Sequence, residues 1–154
     1  MAGGDVRHSR QGFSAVEMAD VFSREKRSAV MSAIRSSGNK TTELRLVRSM
    51  RLAGITGWRR GSRLEGRPDF VFPSEKLAVF VDGCFWHGCS RCYSRPKTNQ
   101  AFWDDKIRNN RARDSRVDRK LKHLGWRVLR LWEHELRNKR AGFALNRIRR
   151  RLAR

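Results

Sequence analysis

Residues 66 to 93, GRPDFVFPSEKLAVFVDGCFWHGCSRCY, concentrate the side chains able to do chemistry. Two apolar runs, Phe70-Val71-Phe72 and Leu77-Ala78-Val79-Phe80-Val81, flank the polar link Pro73-Ser74-Glu75-Lys76. β-Branched and aromatic residues bounded by turn formers read as the two strands of a hairpin. Asp69 opens the first strand and Asp82 closes the second. With a loop of about four residues, the two acids fall on one face, directly opposite or one diagonal apart. Paired carboxylates repel unless a cation lies between them. A hard divalent ion such as Mg²⁺ takes one or two carboxylates together with substrate phosphate oxygens, and polarises a phosphodiester under attack. Asp69 is the first-choice Mg²⁺ ligand, with Asp82 and a nearby backbone carbonyl as helpers. His87 follows shortly after Asp82. An imidazole suits a general base, and such a base usually needs an acid on its other nitrogen.

Cys84, Cys89 and Cys92 form a Cys-x4-Cys-x2-Cys spacing in the same stretch. Three thiolates need a fourth ligand to complete a tetrahedral Zn²⁺ site, and His134, after the last predicted strand, is the best candidate. The alternative is three reduced core cysteines, which a polar, Gly-containing loop does not resemble. Trp86, set between polar turns, reads as a stacking residue for nucleic-acid bases. Burial remains the alternative for one of Phe85 and Trp86.

Several elements must position these groups. Residues 41 to 53, TTELRLVRSMRLA, predict a helix capped by Thr41 or Thr42 and ended by Gly54 and Gly57. Leu44, Val47 and Met50, with Leu46, make its expected buried stripe. Glu43 in its first turn complements the helix dipole. Ile55 to Arg60 is a candidate first strand, after which Arg59, Arg60, Arg63 and Arg67 crowd toward Asp69. Residues 100 to 124 read as a long helix stopped by Gly125, and Trp126 to Trp132 as a third strand. The tail, 137 to 154, reads as a basic helix with Phe143, Leu145, Ile148 and Leu152. Met31 and Ile34 lie at helical spacing in an amphipathic segment from Ser23 to Arg35. Residues 1 to 17 are Gly-rich, lack periodicity and read as a disordered arm, leaving 18 to 154 as one domain. The order helix, hairpin, helix, strand, helix points to an α/β or α+β sheet flanked by helices.

The 154 residues carry 36 Lys and Arg against 15 Asp and Glu, a formal charge of +21. Self-repulsion on that scale is relieved by a polyanion, and Arg, which far outnumbers Lys, forks onto phosphate. Nucleic acid is the expected partner. No apolar run reaches membrane-spanning length and no secretory h-region follows the start. Together with an odd number of thiols, this places the protein in the cytoplasm.

PDFVF, VFVDGCFWHGC, KTNQAFWDDKIRNNRARD and LGWRVLRLWEHEL, in that order from about Met18 to about Asn138, resemble the very-short-patch repair (Vsr-type) DNA mismatch endonucleases. GCFWH is the most specific of these segments. The resemblance implies a restriction-endonuclease-like core, a mixed β-sheet flanked by helices with a structural zinc site, in which helix 41–53 precedes the catalytic hairpin. It implies that His87 is a catalytic base oriented by Asp114, and that Glu43 approaches the active site. Phe85, Trp86 and Trp103 would then intercalate beside the mismatch, with Met31 and Ile34 reaching into the minor groove; a mispaired step costs less to unstack. The implied reaction is Mg²⁺-dependent nicking, by a bacterial and monomeric enzyme, of double-stranded DNA next to T:G mismatches left by deamination of 5-methylcytosine. Mismatch-repair proteins are candidate further partners. The superfamily's usual Lys after the Pro-Asp is absent, as it is in Vsr-type enzymes. Val81-Asp82 stands where the best-known members have Thr-His, removing one candidate base or phosphate contact and adding an acid that should tighten metal binding. The competing readings are a zinc-stabilised, non-catalytic DNA-binding module and a restriction-type nuclease with another target.

Overall fold

The computed structural model describes residues 40–137 and 141–153. The arm at 1–17 and the proposed minor-groove residues Met31 and Ile34 lie outside them. Helix α1 spans Lys40–Leu52. Leu46, Val47 and Met50 are its buried apolar residues, with Thr42 buried beside them, whereas Leu44, expected in the stripe, is 55% exposed. The 100° step of a helix explains the correction. It sets Leu44 about 110° from the centre of the buried stripe and brings Glu43 onto the stripe instead.

Strands β1 (Phe70–Phe72) and β2 (Leu77–Asp82) form the expected antiparallel hairpin, with Phe70 opposite Val79 and Phe72 opposite Leu77. A long helix, α2 (Gln100–His123), then returns the chain to β3 (Arg127–Trp132), which pairs parallel with β2 from Leu77–Arg127 to Asp82–Trp132. The result is a mixed sheet of order β1-β2-β3. Residues 55–60 do not make a further strand. Arg59 alone bridges to Val71, at 2.8 and 2.9 Å, between Gly57 (φ 81°) and Gly61 (φ 69°), whose left-handed backbone cannot continue a ladder. Trp58 instead folds back, donating to the Ile55 carbonyl at 3.0 Å and meeting Phe70 edge-on.

Alternation along the strands divides the core. Phe70, Phe72, Leu77, Val79, Leu129 and Leu131 pack with α1 on one face. Ala78 and Phe80 meet Val117 and Leu121 of α2 on the other. After β3, a 3-10 turn, Glu133–Leu136, precedes helix α3, Ala141–Leu152, which lies within the expected basic tail helix. Ala144 and Ile148 carry its buried stripe, while Phe143 is 71% exposed because it falls off the i, i+4 row they share. Among the described residues no helix is long and apolar enough to cross a membrane.

Candidate active site and metal centre

The hairpin carries Asp69 and Asp82 to one end of the sheet. Continuing the register by one pair sets Asp69 opposite Phe80, so Asp82 lies one diagonal away. Their carboxylates nevertheless have different partners. Asp69 Oδ2 accepts a hydrogen bond from the Val81 N–H at 2.7 Å. Burial raises the Asp69 pKa from 3.8 to about 6; the Val81 N–H opposes the rise, and the neighbouring acids Glu43 and Asp82 add to it. Glu43, delivered by the buried face of α1, therefore reaches Asp69. The Arg cluster expected around Asp69 is represented by Arg60, which bonds Glu43 at 2.5 Å rather than Asp69. A half-buried carboxylate pressed by acids and held by one backbone N–H suits a divalent cation, which would relieve that repulsion.

Asp82 is 7% exposed. Its oxygens accept from Arg130 Nη1 at 2.8 and 3.2 Å. Burial raises its pKa; Arg130 and His87 pull the other way and Asp114 adds to the rise. Asp82 is thus within electrostatic reach of both Asp69 and His87. Unlike Asp69, Asp82 has an arginine partner on both of its oxygens.

His87 Nδ1 lies 2.5 Å from Asp114 Oδ2. Burial works to raise the Asp114 pKa, but the His87 hydrogen bond and charge, with Arg130 and Arg113, outweigh it and hold the carboxyl below its usual range. An ionised carboxylate only accepts, so Nδ1 carries the hydrogen and Nε2 is left for chemistry. Helix α2 also grips the loop backbone beside His87. Asn110 Nδ2 donates to the Trp86 carbonyl at 2.8 Å, Arg111 Nε to that of His87 at 3.0 Å, and Arg111 Nη2 to that of Gly88. Gly88 has φ +60°, and a Cβ there would stand 2.8 Å from both Arg111 Nη2 and Ile107 Cγ2, so only glycine permits this approach.

Cys84, Cys89, Cys92 and His134 converge, with ligand atoms all within 4.8 Å of one another. His134 Nδ1 is 3.3 Å from Cys84 Sγ and 3.5 Å from Cys89 Sγ. Tetrahedral Zn²⁺ with ordinary bond lengths requires an S···N edge of about 3.5 Å. The quartet therefore fits zinc, and it ties the loop after β2 to the turn after β3.

Phe85, Trp86 and Trp103 form one aromatic cluster, with ring centroids 5.1 to 6.1 Å apart. Trp103 is only 8% exposed beneath the other two, while Phe102, at 60%, edges onto it from outside. Tyr93 closes the cluster against Phe85. Sequence reasoning passed over Tyr93, Asn110, Arg111, Asp118 and Arg130. Only Arg130 and Asp118 carried a usable signal. Arg130 shares a strand face with Val128, and Asp118 stands one helical turn beyond Asp114.

The small mixed sheet flanked by helices makes an α/β fold with a Cys3His quartet compatible with zinc, and similarity to known proteins places it among the restriction-endonuclease-like DNA endonucleases. The family described as "DNA mismatch endonuclease Vsr" matches residues 19–94. Type II nicking enzyme V.XorIIP of Xanthomonas oryzae pv. oryzae is 42% identical over 123 residues, covering 77% of this chain and 88% of that protein. DNA mismatch endonuclease Vsr of Escherichia coli K12 is 40% identical over 124 residues, covering 79% and 78%. Type II nicking enzyme V.NaeI of Lentzea aerocolonigenes is 49% identical over 77 residues, a match spanning half of this chain and 46% of that protein. The chain belongs to the Vsr family of DNA mismatch endonucleases.

Proposed function

We propose that the protein nicks double-stranded DNA beside T:G mismatches produced by deamination of 5-methylcytosine, with Mg²⁺ held principally by Asp69. The observation that carries this reading is the pairing of His87 with an ionised Asp114 near an acid end of the sheet where Asp69 lacks a neutralising partner among the groups that act on it. Bound Mg²⁺ would supply positive charge to the phosphate oxygens. His87 Nε2 takes a proton from water as its oxygen attacks phosphorus. One P–O bond forms while the other breaks, and the departing oxygen takes up a proton. Asp114 holds the imidazole in the required tautomer and stabilises its protonated form. Glu43 supports the metal position through Asp69, and Asp82 contributes charge at one remove through Arg130. The Phe85–Trp86–Trp103 cluster supplies the wedge, Trp86 leading and Trp103 buttressing from below. A single chain carries the whole set, so the enzyme would act as a monomer; as with its bacterial relatives, it would work in a bacterial cytoplasm and pass its nick to mismatch-repair proteins.

Binding without chemistry tests the mismatch part. In Mg²⁺-free buffer the protein should prefer a T:G duplex over the matched C:G duplex. Trp86→Ala should lose about 1–3 kcal/mol of that preference, the worth of one base–aromatic stack, while matched-duplex affinity changes less. Equal affinity of the wild-type protein for both duplexes would remove the T:G assignment.

The metal part has a pH signature. Protons compete with Mg²⁺ for Asp69, whose pKa is raised from 3.8 to about 6. A raised carboxyl pKa favours the folded state at low pH, and that contribution is lost as pH rises through about 6. Metal-free protein should therefore gain stability between about pH 6 and pH 4 from this group. The rise in melting temperature caused by Mg²⁺ should be present at pH 7.5 and disappear by pH 5. An Mg²⁺-induced shift of the same size at both values would place the metal elsewhere.

A further inference from the structure

Arg130 lies on the α2-facing side of β3, a side otherwise lined by Val128, Phe80 and the apolar residues of α2. A charged side chain there needs compensation, and the site provides it from several elements. Nη1 bonds Asp82 of β2 at 2.8 and 3.2 Å. Nε and Nη2 bond Asp118 of α2 at 3.1 and 2.9 Å. Nη2 stands 3.6 Å from Asp114 Oδ1, the acid whose other oxygen holds His87. The guanidinium also lies over the Phe80 ring, 4.5 Å from its centroid. Its side chain is 21% exposed.

We propose that Arg130 is the positioning residue of the His87–Asp114 pair, anchored on one side by Asp82 and on the other by Asp118. The inference rests on the general-base reading of His87 given above. Three carboxylates share this space, and without a cation among them Asp114 would be pushed away from its neighbours. A planar fork can hold acids of two different elements in fixed directions at once, which a lysine ammonium on a flexible stem cannot. Asp82 thereby acquires a role of its own. It fixes the sheet-side arm of the fork, so that Arg130 holds Asp114 where the His87 Nδ1–H can meet it.

The test reads the single-turnover nicking rate constant on a T:G duplex with Mg²⁺, separately from reaction amplitude and duplex affinity. A loss of folded protein lowers amplitude, whereas misplacement of the base lowers the rate constant. Arg130→Gln should slow the rate constant by about 10²-fold, the scale of a misplaced catalytic group, with amplitude and affinity retained. Arg130→Lys should restore charge but remain at least ~10-fold slow, because it cannot span both anchors. In a His87→Ala background, Arg130→Gln should cost less than ~2-fold, since a residue acting through His87 has nothing left to position. Asp118→Asn, at a more exposed anchor, should slow the rate constant in the same direction and show the same loss of effect beside His87→Ala. It carries the test if Arg130→Gln does not fold. A wild-type rate constant for the folded variants, or an undiminished cost in the His87→Ala background, overturns the proposal. If His87→Ala itself keeps the wild-type rate constant, the general-base reading fails and takes the Arg130 role with it. That result is distinct from a slow His87→Ala enzyme in which Arg130→Gln is silent.

Discussion

Asp69→Asn is expected to abolish nicking and at the same time to make the metal-free protein more stable. The two effects have one cause. Asp69 is half-buried, with Glu43 and Asp82 as acidic neighbours, and desolvation raises its pKa from 3.8 to about 6. At neutral pH the ionised carboxylate thus costs stability, up to about 3 kcal/mol for a rise of this size, which Mg²⁺ relieves and a neutral amide avoids. The amide oxygen can still accept the Val81 N–H that now binds Asp69 Oδ2 at 2.7 Å. Loss of the metal removes several kcal/mol of transition-state stabilisation, ~10³-fold or more in rate. Thermal melting and nicking of the same preparation check both halves. An active Asp69→Asn variant would remove Asp69 from the site, and an inactive but strongly destabilised one would make its role structural.

Removing zinc should have the largest effect on stability. The quartet joins Cys84, Cys89 and Cys92 to His134, some 42 to 50 positions away along the chain. His87 lies between the first two thiols, so the metal also fixes the span that holds the proposed base. An ion present at ~1,000 times its dissociation constant contributes about 4 kcal/mol to folding, or roughly 10 °C in melting temperature for a domain of this size. Chelation, or Cys89→Ser, should produce a loss of that order and carry the nicking activity down with it. Protein purified without added metal should contain one zinc per chain by elemental analysis. Zinc-free protein with unchanged melting would assign the four residues to packing.

What the chain shows before folding divides along physical lines. Local patterns survived: the alternating strands around Pro73–Lys76, the thiol spacing and the helices at 40–52 and 100–123. These depend on period and turn chemistry that neighbours in sequence determine. Helix α1 illustrates where such reading stops. Both Leu44 and Leu46 looked buried, yet only the packed sheet selects the face that includes Leu46 and Glu43 and rejects Leu44. Ile55–Arg60 had strand-like composition, but the positive φ of Gly57 and Gly61 limits it to one bridge. The metal quartet was readable because its ligand types are scarce and its spacing is specific. Arg130 was not, because in a chain with 36 Lys and Arg one more arginine draws no notice until three acids are seen around it. The pairing of Asp69 with Asp82 was foreseeable in register but not in chemistry, since the partner of Asp82 comes from β3.

The most direct measurement uses wild-type protein and duplexes that differ at one base pair, T:G against C:G, each strand end-labelled in turn. With Mg²⁺ a single nick is expected in one strand of the T:G duplex beside the mismatch, with no cut in the opposite strand, little reaction on C:G, and none in chelator. Binding to the T:G duplex without nicking, in Mg²⁺ or Mn²⁺, would contradict it and leave a zinc-stabilised DNA-binding module. Equal cutting of matched and mismatched duplexes would contradict it in the other direction and leave a nuclease with a different target.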